Sequence, residues 1–287
     1  MKRVIVCDSG LGGLNIAANF FGKQNKNDTE KCELIYFNAY PSPACGFNKL
    51  ASEHEQEEVF RDVLEGMKKF SPDLCLIACN TLSIVYERLK KYYRAGFEVA
   101  GIVDAAVSQM HDALTRNPES SILILGTKST VESGVYAQRL IEKNIDAKRI
   151  KGLGCPGLAT LLESDTDAAE IHMEIRKYAN AASELFTQPP RKLFIALCCT
   201  HFGFASQIWH DEFSRAFENF AGIINPNELL GNGFCADNFS YHSKIDFFPG
   251  ARENMSNYFA AKAPQIAAAL QCAKIENDLF KFTKGNI

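Results

Sequence analysis

Two stretches of the sequence place a cysteine at the end of an apolar run. Residues Phe194–Cys198 are apolar and lead into Cys199–His201, which supplies a thiol, a hydroxyl and an imidazole. Residues Leu74–Ala78 lead in the same way into Cys79–Thr81, which supplies a thiol, an amide and a hydroxyl. Thiols and imidazoles can exchange protons near neutral pH. The two stretches therefore predict two matched groups of reactive side chains and an internal duplication, with one thiol from each half.

The elements that must hold these cysteines are parallel strands. A continuous apolar run bounded by turn residues favours a strand that is buried on both faces of a parallel sheet. Both runs follow a turn that contains proline, at Ser71–Asp73 and at Pro189–Lys192. In open parallel sheets, ligands bind beyond the carboxyl ends of the strands. We therefore expect both thiols to face a ligand, and this placement disfavours the alternative of two structural thiols in the core.

The N-terminal stretch predicts a strand, a glycine-rich turn and a helix, at Arg3–Cys7, Asp8–Gly13 and Leu14–Phe21. The N–H groups at a helix start favour an anion. The Asp8 carboxylate favours an ammonium, and an amino acid carries both charges. The G-x-G-x-x-G spacing of dinucleotide sites is absent. These residues leave open the alternative that Asp8 is only the N-cap of the helix.

The remaining sequence alternates between strand and helix patterns, which predicts parallel sheets with right-handed crossovers. The length of 287 residues suffices for one or two α/β domains. Further strands are expected at Glu33–Asn38, Phe97–Val103, Ser121–Leu125, Arg149–Leu153, Gly222–Ile224 and Ile245–Phe248. Longer helices are expected at Ser83–Tyr93, Thr166–Phe186, Phe204–Phe220 and, as one or two helices, Arg252–Phe282.

Composition disfavours several classes of protein. The sequence has 31 Lys and Arg against 34 Asp and Glu, a formal charge of −3, whereas a nucleic-acid binder usually shows a basic face. No apolar run approaches the roughly 18 residues of a membrane span, and no signal peptide precedes the first strand, so a cytoplasmic protein is expected. Most of the 10 cysteines are expected to be buried free thiols. A zinc site at Cys198, Cys199 and His201 is not expected, because adjacent cysteines do not match common zinc motifs.

Three ordered motifs resemble the signatures of glutamate racemase, in the cofactor-independent aspartate/glutamate racemase superfamily. They are Asp8–Gly10, Ala78–Thr81 and Cys199–His201. The resemblance covers roughly residues 3 to 204 and is specific at the level of the superfamily. Supporting matches are Gly126-Thr127 with Thr130, Ser133 with Tyr136, Cys155-Pro156, and Glu163.

The resemblance implies an α/β fold of two pseudo-symmetric, three-layer domains with mainly parallel sheets that face each other across a cleft. On this basis the first domain is expected to contain residues 1–101 and about 213–287. The second is expected to contain about 102–212. Each domain would supply one catalytic cysteine.

The resemblance also implies the roles of individual residues. Inversion at an α-carbon needs a base on one face and an acid on the other, so two thiols are required, and a helix N-terminus or an imidazolium increases the thiolate fraction. Asp8 would serve Cys79, while His201 with Glu163 would serve Cys199. No cofactor is implied, whether pyridoxal phosphate, metal or nucleotide. The implied substrate-binding residues are Ser9, Cys45, Gly46, Asn80, Thr81, Thr130 and Thr200.

One loop departs from the family pattern. Glutamate racemases carry Gly-Asp-Thr and then Pro-Tyr-Gly where this sequence has Asn38–Tyr40 and Ala44–Gly46. In the family this loop grips the side-chain carboxylate of the substrate, partly through backbone N–H groups. The altered side chains leave such a backbone site intact but change the walls of the pocket. Replacement of the family tyrosine by Cys45 enlarges it.

The expected activity is therefore racemisation of an acidic amino acid, most readily D/L-glutamate, by a two-cysteine, two-base proton transfer. The alternatives are aspartate racemisation, a single-cysteine decarboxylase or isomerase of small diacids, and a non-catalytic regulator that binds an acidic metabolite. The expected partner is a small acidic amino acid, with no nucleic acid and no membrane. A homodimer is left open.

Overall fold

The computed structural model of the chain describes residues 1–21, 30–40, 46–164, 168–246 and 250–280. The chain forms two compact units. The first contains Met1–Ile102 and Leu229–Ile287, and the second contains Val103–Glu228. Each unit is built from a sheet of parallel strands with helices packed against it. The predicted α/β class with mainly parallel sheets is confirmed.

The strands of the two sheets are numbered in the order in which they occur along the described residues. They are β1 (Lys2–Asp8), β2 (Glu30–Asn38), β3 (Leu74–Ile77), β4 (Glu98–Gly101), β5 (Ser120–Gly126), β6 (Ile150–Gly154), β7 (Lys192–Cys198), β8 (Phe220–Ile224) and β9 (Phe234–Ser243).

The helices connect these strands. They are α1 (Leu14–Asn19), α2 (Glu53–Met67), α3 (Asn80–Leu89), α4 (Ile102–Arg116), α5 (Lys128–Glu132), α6 (Val135–Glu142), α7 (Leu158–Glu163), α8 (Ala168–Glu184), α9 (Ser206–Ala216), α10 (Ala251–Phe259) and α11 (Pro264–Cys272). Short 3-10 segments lie at Phe47–Lys49, Lys68–Phe70, Ala147–Arg149, Thr200–Ala205 and Pro226–Glu228.

The sheet of the first unit has the strand order β4-β3-β1-β2-β9, and its pairs are parallel. In this register Asp8 lies beside Asn38, and Cys7 lies beside Ile77. The carboxyl ends of β1, β2 and β3 are therefore level with one another. The residues that follow these three strands consequently meet at one edge of the sheet.

The core of the first unit explains why its central strands are apolar throughout. Residues of β1 and β3 are packed with the inner face of α2, including Phe60 and Val63. Helix α2 begins at an N-cap, Ser52, whose hydroxyl accepts a hydrogen bond from the N–H of Glu55. Acidic residues in that first turn suit the positive end of the helix dipole. The cap and the apolar face together orient α2 against the sheet.

The sheet of the second unit has the order β6-β5-β7-β8, again with parallel pairs. Gly126, the last residue of β5, lies beside Cys198 on one side and Gly154 on the other. The core contains residues of β5 and β7 with α8 and α9, among them Trp209 and Phe213. This arrangement again places the residues after β5, β6 and β7 at one sheet edge.

The boundary between the units differs from the sequence expectation at one point. Residues 213–228 were expected to belong to the first domain, but they are grouped with the second unit. The physical reason is β8, which pairs with β7. The chain returns to the first unit only at Leu229.

Two elements were not foreseen. The strand predicted at Ile245–Phe248 is wrong where it can be judged, because residues 245 and 246 form no strand and residues 247 and 248 lie outside the described ranges. The last strand is instead β9, which pairs with β2. Helix α4 was also missed, although Val103, Val107 and Met110 are buried at helical spacing.

Candidate active site

Cys79 lies at the point where β3 gives way to α3. It is the N-cap residue of α3, and its sulfur accepts a hydrogen bond from the N–H of Leu82 at 3.5 Å. The side chain is buried, with 7% of its surface exposed. A helix N-terminus carries a partial positive charge and stabilises a thiolate. The local fold therefore places this sulfur at the positive end of α3.

A serine hydroxyl also contacts this thiol. The Ser9 Oγ lies 3.1 Å from the Cys79 Sγ, and either atom can be the donor. Ser9 follows β1, which is the neighbour of β3 in the sheet. A hydroxyl that donates to sulfur stabilises the thiolate, whereas one that accepts from it holds the thiol. The same contact thus serves both protonation states.

Asp8 is almost fully buried at the end of β1. Its Oδ1 accepts a hydrogen bond from the N–H of Gly10 at 2.9 Å, so the side chain turns back on its own loop. Helix α1 begins after Gly13 and has no side-chain cap. The alternative that Asp8 is the N-cap of α1 is therefore not what the structure contains.

Glycine at position 13 brings Asp8 close to the Cys79 turn. A Cβ added to Gly13 would lie 2.8 Å from the Asp8 Oδ2 and 3.0 Å from the Cβ of Ala78. Because these two distances add up to about 6 Å, the Asp8 Oδ2 lies no farther than that from the Cβ of Ala78, which precedes Cys79. A larger side chain at position 13 would force these two segments apart.

The remaining residues predicted for this side lie on neighbouring elements. Asn80 and Thr81 are buried in the first turn of α3. Cys45 lies outside the described residues. Gly46 is described, and a Cβ added there would lie 3.0 Å from the Tyr40 hydroxyl. The Tyr40 phenol therefore lies directly against Gly46, in the loop where the sequence departs from the family pattern.

Cys199 follows β7 and precedes the 3-10 segment Thr200–Ala205. Its side chain is buried, with 6% exposed. Its carbonyl oxygen accepts two hydrogen bonds, from the N–H of Phe202 at 3.2 Å and from the Asn227 Nδ2 at 3.3 Å. The Cys199 carbonyl is thus held by one backbone donor and one side-chain donor.

Cys199 contacts the imidazole of His201, which in turn contacts the carboxylate of Glu163. The Cys199 Sγ lies 3.7 Å from the His201 Nδ1, and the His201 Nε2 is hydrogen-bonded to the Oε1 of Glu163. Both His201 and Glu163 are buried. Glu163 is the last residue of α7, so the pair joins two elements that are 38 positions apart in the chain. The geometry is that of a thiol, a base and a group that orients the base.

The protonation of His201 is set by this pairing. Burial alone lowers the pKa of the imidazole, but the charge of Glu163 and the hydrogen bonds to Cys199 and Glu163 outweigh it and raise the pKa well above its ordinary value. His201 is therefore an imidazolium at neutral pH. The imidazole nitrogen nearer to Cys199 lies 3.7 Å from its sulfur.

The two threonines predicted for this side lie at the same sheet edge. Thr200 is buried, and its Oγ1 lies 3.5 Å from the His201 Nδ1. Thr130 is buried in α5, and its Oγ1 accepts a hydrogen bond from the Thr127 hydroxyl at 2.9 Å. A Cβ added to Gly126 would touch both the Cys198 carbonyl oxygen and the Thr130 methyl group, so the two strand ends are in contact.

Two other cysteines lie nearby and differ from Cys199. Cys198 is fully buried, and burial raises the pKa of its thiol far above the ordinary value. Burial also raises the pKa of the Cys155 thiol in the same direction. Both are held as neutral thiols at physiological pH. In the described part of the chain all cysteines are free.

Sequence reasoning missed two residues that are hydrogen-bonded to the backbone of Cys199 or of the turn that carries Ser9. Asn227 follows β8 and donates to the backbone of Cys199. Tyr36 lies in β2 and donates from its hydroxyl to the Gly10 carbonyl at 2.8 Å. The motif Asn225–Asn227 after a strand was a signal for the first. Tyr36 had no signal, because an aromatic residue within a strand is typical of the core.

Within the described ranges, no group of three or more His, Cys, Asp and Glu side chains is arranged to hold a metal ion. No helix among those residues is long and apolar enough to cross a membrane.

Comparison with known proteins agrees with the motifs. No family model matches the chain. The glutamate racemase of Staphylococcus aureus strain JH9 is 26% identical over 211 residues, which is 70% of each chain, and the enzyme of strain Newman matches equally. This chain is similar in sequence to these glutamate racemases.

Solved structures show the same fold. A glutamate racemase isoform from Bacillus anthracis superposes with a TM-score of 0.69 at 20% identity, over 90% of this chain and 94% of that one. The glutamate racemase of Francisella tularensis, solved in complex with D-glutamate, gives a TM-score of 0.65 at 16% identity, over 96% and 95%. The similarity of fold therefore extends over nearly the whole chain, including the part beyond residue 204.

Proposed function

We propose that this protein racemises an acidic amino acid, D/L-glutamate above others, without a cofactor. The observation that carries the proposal is the matched placement of Cys79 and Cys199. Each thiol follows a buried parallel strand of its own unit, and each has its own stabilising group, the α3 N-terminus or the His201 imidazole. The relationship to curated glutamate racemases supports this reading.

The proposed reaction needs one thiolate and one thiol. The thiolate removes the α-proton and leaves a carbanion, and the thiol of the other cysteine returns a proton to the opposite face. The product is the mirror-image amino acid, and the two cysteines have exchanged protonation states. Because the reaction runs in both directions, each cysteine must act as base for one enantiomer and as acid for the other.

The groups around Cys199 suit this alternation. The His201 imidazolium stabilises the thiolate that removes a proton, and Glu163 keeps the imidazole charged and oriented. On the other side, the Ser9 hydroxyl and the N-terminus of α3 stabilise the Cys79 thiolate. Asp8 is proposed to hold the substrate ammonium or to assist Cys79, since its carboxylate lies beside the Cys79 turn.

The proposed substrate-binding groups are Ser9, Gly46, Asn80, Thr81, Thr130 and Thr200, which lie beyond the carboxyl ends of strands in their own units. D-glutamate is bound in the Francisella tularensis relative, and this supports an acidic amino acid as the ligand. A site built for a second carboxylate rejects a ligand that lacks it, since its donors are then left without an acceptor at a cost of about 1–3 kcal/mol each.

The experiment that tests the proposal is incubation of each glutamate enantiomer in deuterium oxide under reducing conditions. We expect the product of each direction to carry deuterium at the α-carbon, as followed by proton NMR and chiral chromatography. Glutamate should exceed glutamine and neutral amino acids in kcat/KM by well over tenfold, on the order of the cost above. Absence of α-proton exchange with glutamate and aspartate would reject the racemase, and tight calorimetric binding without exchange would favour a regulator.

A further inference from the structure

The turn that carries Ser9 is fixed by contacts from β2. The Ala39 N–H donates to the Asp8 carbonyl at 2.7 Å, and the Tyr36 hydroxyl donates to the Gly10 carbonyl at 2.8 Å. These two bonds hold the peptide group before Ser9 and the peptide group after Gly10. The Ser9 hydroxyl lies 3.1 Å from the Cys79 sulfur, so the turn that Tyr36 contacts is also the turn that carries this contact.

Tyr36 is itself held rigidly. It is fully buried, and its ring stacks on that of Tyr241 with centroids 5.7 Å apart and planes 8° from parallel. The Tyr241 hydroxyl in turn accepts a hydrogen bond from the Asn38 Nδ2 at 3.2 Å. A buried, stacked phenol loses little freedom on making a hydrogen bond, so it can hold the Gly10 carbonyl at one place.

The second unit contains an equivalent support of different chemistry. Asn227 is buried, and its Nδ2 donates both to the Cys199 carbonyl at 3.3 Å and to the Asn225 Oδ1 at 2.8 Å. The Asn227 N–H also donates to the Asn225 Oδ1, at 3.3 Å. Asn227 thereby ties the backbone of the cysteine to the end of β8.

We propose that Tyr36 and Asn227 are positioning residues for the two proton transfers, Tyr36 for the Cys79 step and Asn227 for the Cys199 step. Neither is proposed to touch the substrate. Each acts through another residue, by way of the Ser9 turn or through the Cys199 backbone. The inference rests on the proposed racemase function and assigns each support to one thiol.

The assignment has a kinetic consequence that a general loss of stability does not share. Each enantiomer is deprotonated by one thiol, so a substrate deuterated at the α-carbon reports how far that thiol's step limits the rate. If the barrier of one thiol's step is raised, the primary isotope effect on kcat/KM increases for the enantiomer that this thiol deprotonates. It decreases for the other enantiomer, because the return of a proton by this thiol then limits the rate more than deprotonation does. A structural defect that weakens both steps alike leaves the ratio of the two isotope effects unchanged.

The experiment compares Tyr36→Phe and Asn227→Ala with the wild type. For each protein, kcat, KM and the isotope effect are measured with α-protonated and α-deuterated glutamate of both configurations. We expect kcat to fall about fivefold to tenfold in each variant, on the scale of one lost hydrogen bond, with KM changed less than about twofold. The ratio of isotope effects should shift in opposite directions in the two variants.

Tyr93→Phe is the matched control, because it removes a tyrosine hydroxyl of the same unit that donates to Glu65 of α2 and not to the Ser9 turn. We expect it to keep the wild-type ratio. Circular dichroism melting shows whether each variant is folded. If Asn227→Ala does not fold, Asn227→Ser removes the same amide donor with a smaller loss of volume.

An active wild type with unchanged isotope-effect ratios in both variants would overturn the proposal. Shifts in the same direction for both would also overturn it, since the two supports would then not belong to separate steps. A wild type that neither racemises nor exchanges the α-proton rejects the proposed function itself, which is a distinct result.

Discussion

The Cys79 region and the Cys199 region surround a thiol at a strand end with different groups. Both thiols follow a buried parallel strand, and both are buried to a similar degree. Cys79 is the cap of a ten-residue helix and contacts a serine hydroxyl. Cys199 precedes a 3-10 segment and contacts an imidazole backed by a carboxylate.

The comparison indicates that the end of a buried parallel strand determines where each thiol lies. The groups next to that strand end determine how the charge of the thiol is stabilised. A helix dipole and a hydroxyl do not titrate near neutral pH, so the support of Cys79 is constant with pH. The His201 imidazolium does titrate, so the support of Cys199 is lost when that proton leaves. The two halves of the reaction should therefore respond differently to mutation and to pH.

Among the groups that support the two thiols, the largest expected effect comes from removal of the Glu163 carboxylate that is hydrogen-bonded to His201. Glu163→Gln removes the carboxylate charge that raises the pKa of the imidazole, so burial, which lowers that pKa, is opposed less and the pKa of His201 should fall. We expect kcat to fall about 100-fold, the lower end for loss of acid–base assistance. The alkaline limb of the pH–rate profile should move to lower pH. An unshifted profile would show that His201 does not depend on Glu163.

A smaller effect is expected on the other side. Ser9→Ala removes the hydroxyl that contacts the Cys79 sulfur, and we expect kcat to fall about tenfold, the value of one hydrogen bond to a charged group. Because no titrating group is removed, the shape of the pH–rate profile should be retained. A displaced pH limb in Ser9→Ala would contradict the distinction between the two supports.

The smallest effect concerns stability. The folded-state pKa of His201 is raised, so the His201–Glu163 pair stabilises the fold fully below the unfolded pKa of about 6.5, and this contribution is lost as pH rises through the folded value. At pH 6 the unfolding free energy of the wild type should exceed that of Glu163→Gln by about 1.5–3 kcal/mol. This difference should shrink as the pH is raised to 10.

A variant of the first unit serves as the control for that measurement. Ser52→Ala removes the N-cap of α2, which contributes about 1 kcal/mol in typical helices. Its destabilisation should be constant over the same pH range, because a hydroxyl does not titrate there. A pH-independent difference for Glu163→Gln would show that the ion pair does not set the charge of His201.

Much of this arrangement could be predicted from sequence because it lies on buried strands. The apolar runs before Cys79 and Cys199 specify strands, and parallel sheets place their carboxyl ends at one edge. The β9 strand could not be found in this way. It is an edge strand in which buried, partly buried and exposed residues are mixed, and its residues Phe234–Ser243 contain no long apolar run.

The partners of the cysteines were less accessible to sequence reasoning. Glu163 was proposed for the Cys199 side by family resemblance, since nothing in the spacing of the chain places the end of α7 beside His201. Asn227 meets Cys199 only because β8 pairs with β7. Contacts of this kind depend on how distant elements pack, and local patterns carry no record of them.

The most direct test of the account is α-proton exchange in deuterium oxide by the two variants Cys79→Ser and Cys199→Ser. We expect each to lose racemisation by at least about 1,000-fold, within the range of acid–base catalysis. Each should still exchange the α-proton of one glutamate enantiomer, and the enantiomer should differ between the two variants. Full racemisation by either variant, or exchange of the same enantiomer by both, would contradict the assignment of one thiol to each face.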